Sequence, residues 1–131
     1  MKEPLWIDER DALTLHSRLL ALDGGSPGVR SAALLQSALA RPQQLYAYSE
    51  SADIIDLAVA YTAGIIRNHP FIDGNKRTGF LVGVLFLEIN GYRLTATEEN
   101  ATEAILALAA GEMNEAAFTS WLRATTASPR P

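Results

Sequence analysis

The chain contains no cysteine, so disulfides, thiolate metal sites and a cysteine nucleophile are excluded. Nor does it carry an excess of basic residues. Eleven Lys and Arg stand against 15 Asp and Glu, for a formal net charge of -4 and a pI near 5.1. That balance argues against direct nucleic-acid binding or adhesion to an anionic membrane by charge alone. Long hydrophobic runs are missing too: the most apolar window, Phe80 to Leu87, stops at Glu88, well short of the roughly 20 residues that cross a bilayer. Met1 to Arg10 carries Lys2, Glu3, Asp8, Glu9 and Arg10 where a secretory signal needs an apolar core, which makes the cytoplasm the expected location. There are no repeats and no low-complexity tracts.

What is present is enough apolar material for one core. With 131 residues, 48% hydrophobic, and a mean hydropathy of +0.05, the chain reads as a single domain over 1–131, its core from about 7 to 122 and its end, 126–131, frayed. Asp8 caps a first helix to about Leu22, with Leu13, Leu15, Leu19, Leu20 and Leu22 as its apolar stripe and Asp23-Gly24-Gly25 as its stop. After a loop, Ser31 to Ala40 forms a short helix that Arg41-Pro42 ends. Residues Gln43 to Ser51 show no period and read as a loop or flap.

Asp53 to Asn68 repeats apolar residues at three- and four-residue steps and predicts a long helix up to His69-Pro70. Gly74 to Asn90 is apolar on nearly every side from Phe80 onward, the pattern of a central buried helix, with Gly79 and Gly83 admitting a close neighbour. Thr97 and Asn114 cap two more helices. Only Leu5–Ile7 and Tyr92–Ala96 have any claim to be strands. The expected fold is therefore all-α: a compact bundle of about six helices around a central buried one, with at most a minor β pairing.

The segment His69-Pro70-Phe71-Ile72-Asp73-Gly74-Asn75-Lys76-Arg77 concentrates groups suited to phosphate chemistry. A helix starting near Gly74 leaves its first N–H groups unpaired at the positive end of the dipole, an anion site that Gly74 leaves open. Lys76 and Arg77 occupy a first turn where acids are preferred, a conflict that an anion would resolve. Asp73 offers a hard oxygen for Mg²⁺, and His69 a base near neutral pH. Phe71 and Ile72 would pin the loop to the core. Each residue alone has an ordinary explanation as a helix stop, a cap or a solvated pair; their compression into one turn does not. His16, Trp6 and Trp121 read as packing residues.

His69 to Arg77 resembles the signature loop of the Fic/Doc family. Gly24-Gly25-Ser26-Pro27-Gly28-Val29-Arg30, the stretch Leu34 to Gln43 and Phe86-Leu87-Glu88-Ile89-Asn90-Gly91-Tyr92 resemble its Doc (death-on-curing) branch. The resemblance implies a toxin of a toxin–antitoxin pair that transfers part of ATP onto a protein hydroxyl, with His69 as catalytic base, Asp73 as Mg²⁺ ligand, Gly74, Asn75, Lys76 and Arg77 around the ATP phosphates, and Phe71 as loop anchor. Lysine at position 76, where AMP-transferring members have glycine, implies a reversed nucleotide and phosphorylation of a Ser or Thr hydroxyl, with elongation factor Tu as target and translation arrest as outcome. The alternatives are an AMP transferase and a catalytically inactive binding module. Tyr46 and Tyr48 fall where a target-docking flap is expected. Thr95 to Asn100 fits the loose pattern of a self-inhibitory helix, but capping explains these residues, and inhibition is expected from a separate Phd-like antitoxin with a disordered tail.

Overall fold

In the computed structural model, which describes residues 2–129, six helices follow one another: α1 Glu9–Asp23, α2 Ala32–Tyr48, α3 Ile54–Asn68, α4 Asn75–Ile89, α5 Glu98–Ala110 and α6 Glu115–Ala124. The all-α class and the helix number are as the sequence predicts. Five of these helices begin on a side-chain cap, from Asp8, Ser31, Asp53, Thr97 and Asn114, each accepting from the backbone N–H three residues on. Such caps satisfy otherwise orphaned donors for about 1 kcal/mol apiece. Helix α4 starts on Gly74 with no side-chain cap.

Pro42 does not end α2. The helix continues to Tyr48 with Pro42 fully buried inside it, so the expected loop over 43–51 is mostly helix. The reason lies in the stripe Leu35, Ala38, Leu39 and Pro42, at helical spacing on the core face and continued by Leu45 and Tyr46. Pro42 has no N–H for the Ala38 carbonyl, and this oxygen faces Gly64 of α3, where a Cβ would stand only 3.4 Å away. Burial on α3 outweighs the lost bond.

Helix α3, not α4, holds the centre. Eleven of its 15 residues are buried, and it touches α2, α4, α5 and α6. Its small residues Ala58, Ala60, Ala63 and Gly64 let neighbours approach from several sides, whereas α4 turns one face to a cleft. The two helices meet at Gly79 and Gly83: a Cβ on Gly79 would lie 3.1 Å from the Thr62 carbonyl oxygen, and one on Gly83 would collide with Thr62 Oγ1. Thr62 Oγ1 donates to the Gly79 carbonyl at 2.8 Å.

The minor β pairing joins β1, Arg93–Leu94, antiparallel to β2, Thr126–Ala127. Two residues of the expected frayed end are thus paired, while Arg130 and Pro131 lie outside the described residues. Leu5–Ile7 is not a strand. Side chains take the place of a strand partner there: Asn90 exchanges two hydrogen bonds with Leu5, at 2.8 and 3.0 Å, and the Tyr61 hydroxyl bonds both the N–H and the carbonyl of Ile7. Trp6 packs on Tyr46 and Phe86, and Trp121 on Phe118. Among the described residues no helix is long and apolar enough to cross a membrane.

Candidate active site

The site is assembled at the turn from α3 to α4. His69 ends α3 in the left-handed region, φ 51° and ψ 53°, with its N–H bonded to the Ile65 carbonyl at 3.0 Å. Pro70 prevents further helix. Two of the orphaned carbonyls at this helix end are taken by one guanidinium: Arg30 donates from Nε to His69 O at 2.7 Å and from Nη2 to Asn68 O at 2.8 Å, a favourable charge at a helix C-terminus. The segment from Gly25 to Ser31 then runs beside the loop. Arg30 and Ser31 donate to Pro70 O, Ile72 donates to Gly28 O, and Val29 bridges Phe71.

Phe71 is fully buried and lies flat on the His16 ring, 3.8 Å between centroids and 8° between planes. Its backbone is clamped by Asn75, whose Oδ1 accepts from Phe71 N and whose Nδ2 donates to Phe71 O, both at 2.9 Å. Ile72, expected to help pin the loop, is exposed and rests beside Gly28. The Asp73 carboxylate accepts from Ser26 N at 3.2 Å and Gly74 N at 2.8 Å. The Ser26 amide first and the Gly74 amide second hold the carboxyl below its ordinary range, with the charge of Arg77 adding to them. Asp73 is thus an exposed, ionised oxygen donor.

His69, Asp73, Gly74, Asn75, Lys76 and Arg77 all line one cleft of about 680 Å³. Leu19, Phe80 and Leu81 and the α5 face Glu98, Ala101, Thr102, Ile105 and Leu106 form its other walls. The expected residues are brought together, with two changes of part. The Asn75 side chain is 3% exposed and occupied by Phe71, so only its backbone amide remains for an anion. Arg77 is held by Asp23 at 3.0 Å. Lys76 makes no ion pair among the described residues. Tyr46 and Tyr48 do not reach the cleft: Tyr46 packs edge-on against Trp6 and Tyr48 stands exposed at the end of α2. The segment lying along the loop is 25–31.

Sequence reasoning missed His16, Arg30, Ser26 and Asp23. His16 is 4% exposed and its Nε2 lies 2.8 Å from the Asp73 carbonyl oxygen. Ala12 and His16 are the buried residues of α1, Leu15, Leu19 and Leu20 are half-buried beside them, and Leu13 and Leu22 are exposed. A histidine among leucines carried the available signal, since a buried ring nitrogen requires a partner.

A helix start with no side-chain cap, two cations in its first turn, an ionised carboxylate and an exposed imidazole thus share one cleft. The class agrees with this geometry. The model of the Fic/DOC family matches residues 6–87, more than half of the chain, and the chain belongs to that family. Within it, the chain is 39% identical over 92 residues to Toxin Doc of Mycolicibacterium smegmatis, covering 70% of this chain and 68% of that protein. It is 29% identical over 117 residues to Protein kinase doc of Escherichia phage P1, covering 89% and 92%. Its fold is similar to the N-terminal Fic domain of a cell filamentation protein from Bartonella quintana, a VirB-translocated Bep effector crystallised with bound ADP. That likeness has a TM-score of 0.50 and 19% identity, over 82% of this chain and 54% of that one.

Proposed function

We propose that this protein is the toxin of a toxin–antitoxin pair and acts as a protein kinase, moving the γ-phosphoryl group of Mg²⁺-bound ATP onto a Ser or Thr hydroxyl of a translation factor, elongation factor Tu foremost. The observation that carries the reading is the side-chain-uncapped start of α4, with Lys76 and Arg77 in its first turn, in the same cleft as His69 and the ionised Asp73. The names of its relatives, a toxin and a protein kinase, support it, as does the ADP held by a protein of similar fold.

Bound Mg²⁺-ATP would supply the phosphoryl group and part of the charge that neutralises it. The residues supply position and electrostatics, which is most of what phosphoryl transfer requires. The α4 amides, Lys76 and Arg77 would hold phosphate oxygens, and the Asp73 carboxylate would hold the Mg²⁺ borne on them. His69, exposed in the cleft, takes the proton of the acceptor hydroxyl. Lys76 adds a side chain and a charge to the phosphate end, the feature that favours γ- over α-phosphoryl transfer. A cognate Phd-like antitoxin, its disordered tail folding on this surface, restrains the activity. A translation factor as substrate places the protein in the cytoplasm, working as one domain.

The test is to incubate the purified chain and elongation factor Tu with ATP labelled at the γ- or the α-phosphate. Label from γ is expected on the factor, and His69→Ala should abolish it while leaving antitoxin affinity intact. Retained α label would mean AMP transfer. No label from either, with His69→Ala as toxic as the parent, would mean a binding module.

A further inference from the structure

We infer that His16 is a positioning residue whose ring sets the plane of the Asp73–Gly74 peptide, and so aims the Gly74 amide at the Asp73 carboxylate and holds that carboxylate in place beside the start of α4. The inference deepens the proposed function and rests on it for its catalytic consequence. The geometry stands on its own.

The Asp73 carbonyl oxygen can only accept, so the His16 nitrogen 2.8 Å away, Nε2, carries the proton. The ring has little freedom to swing. It is 4% exposed and stacked on Phe71, which Asn75 clamps in turn. The peptide is trans and planar, so its C=O and N–H point in opposite directions. Drawing the Asp73 oxygen toward His16 therefore turns Gly74 N–H the other way, where Asp73 Oδ1 accepts it at 2.8 Å.

Nothing in the local backbone enforces that choice. Gly74 sits at φ 78°, and glycine adopts either sign of φ at little cost, so a flip of this peptide is cheap. Flipped, it would turn a carbonyl oxygen toward the Asp73 carboxylate and strip that carboxylate of one of its two amide donors, freeing the metal-binding oxygens to swing away from the start of α4. His16 is the one side chain that reaches Asp73 O among the described residues, and Gly74 packs against its ring, a Cβ there standing 3.7 Å from Nε2.

Two variants separate the donor from the ring. His16→Phe keeps a flat ring on Phe71 and loses the N–H; His16→Gln loses the ring and returns an amide donor near the Nε2 position. In ¹⁵N-labelled protein, the Gly74 amide resonance should move in His16→Phe and return toward the parent value in His16→Gln. Affinity for Mg²⁺-ADP by calorimetry should fall about tenfold in the Phe variant, the scale of one lost hydrogen bond, and recover in the Gln variant. An unmoved Gly74 resonance in a folded His16→Phe protein, or equal damage from Phe and Gln, overturns the inference. A resonance that moves as expected in a protein that binds no Mg²⁺-ADP, even with His16 intact, supports the positioning role and refutes the nucleotide reading instead.

Discussion

The Asn75 side chain holds both backbone groups of Phe71, and one substitution distinguishes a clamp from a side-chain phosphate ligand. Asn75→Ala removes both partners of the Phe71 backbone, whose N–H and carbonyl have no other hydrogen bond among the described residues. The site is closed, since Phe71 is 0% and Asn75 3% exposed, and water cannot replace the amide without opening the loop. Each orphaned buried group costs about 1–3 kcal/mol, and alanine returns only about 0.5 kcal/mol in helix propensity. A net loss of about 3 kcal/mol lowers the melting temperature by roughly 12 °C, at about 4 °C per kcal/mol for a chain of this size. Thermal melting by circular dichroism, without nucleotide, reads this directly. A melting temperature within about 2 °C of the parent, together with lost Mg²⁺-ADP binding, would refute the clamp and restore the ligand role.

Two further outcomes are expected. Asp23→Asn frees Arg77 from a half-exposed ion pair worth less than about 1 kcal/mol, and removes an acid from the unfavourable end of α1. Melting should therefore hold or rise slightly while Mg²⁺-ADP binds severalfold tighter at low salt; unchanged affinity by calorimetry would show that Asp23 does not compete with phosphate. At high pH, burial pushes the Tyr61 hydroxyl up to about 12, against about 10 in an unfolded chain. A group raised on folding contributes fully below the unfolded value, so stability should be flat up to about pH 10 and decline toward pH 12. Urea midpoints measured across that window should show the decline in the parent and a shallower one in Tyr61→Phe.

Much of the molecule was legible because local signals agreed with packing. Asp8, Thr97 and Asn114 were read as caps and are caps, and the Gly79 and Gly83 contact followed from their spacing. The failures share a cause: long-range packing overruled a local rule. Pro42 reads as a stop until α3 is seen packed on it, with Gly64, 22 residues later, letting the two backbones come close at Ala38. The leucines of α1 read as its apolar stripe, yet its most buried positions are Ala12 and a histidine, because the helix covers the loop at Phe71 and Asp73. The candidate site residues could be grouped because they lie within nine consecutive positions. Arg30, Ser26 and His16 reach the same loop from more than 35 residues away, and no spacing rule connects them.

Gly79 and Gly83 have an effect beyond stability. By bringing two helical backbones into direct touch, they mount the imidazole at the end of one rod and the amides at the start of the next on a single stiff strut. Such a strut resists bending, because a side chain at either glycine would have to push into Thr62. The separation of the His69 ring from the first amides of α4 is thus fixed by two residues that carry no side chain and lie a full helical turn or more from either group.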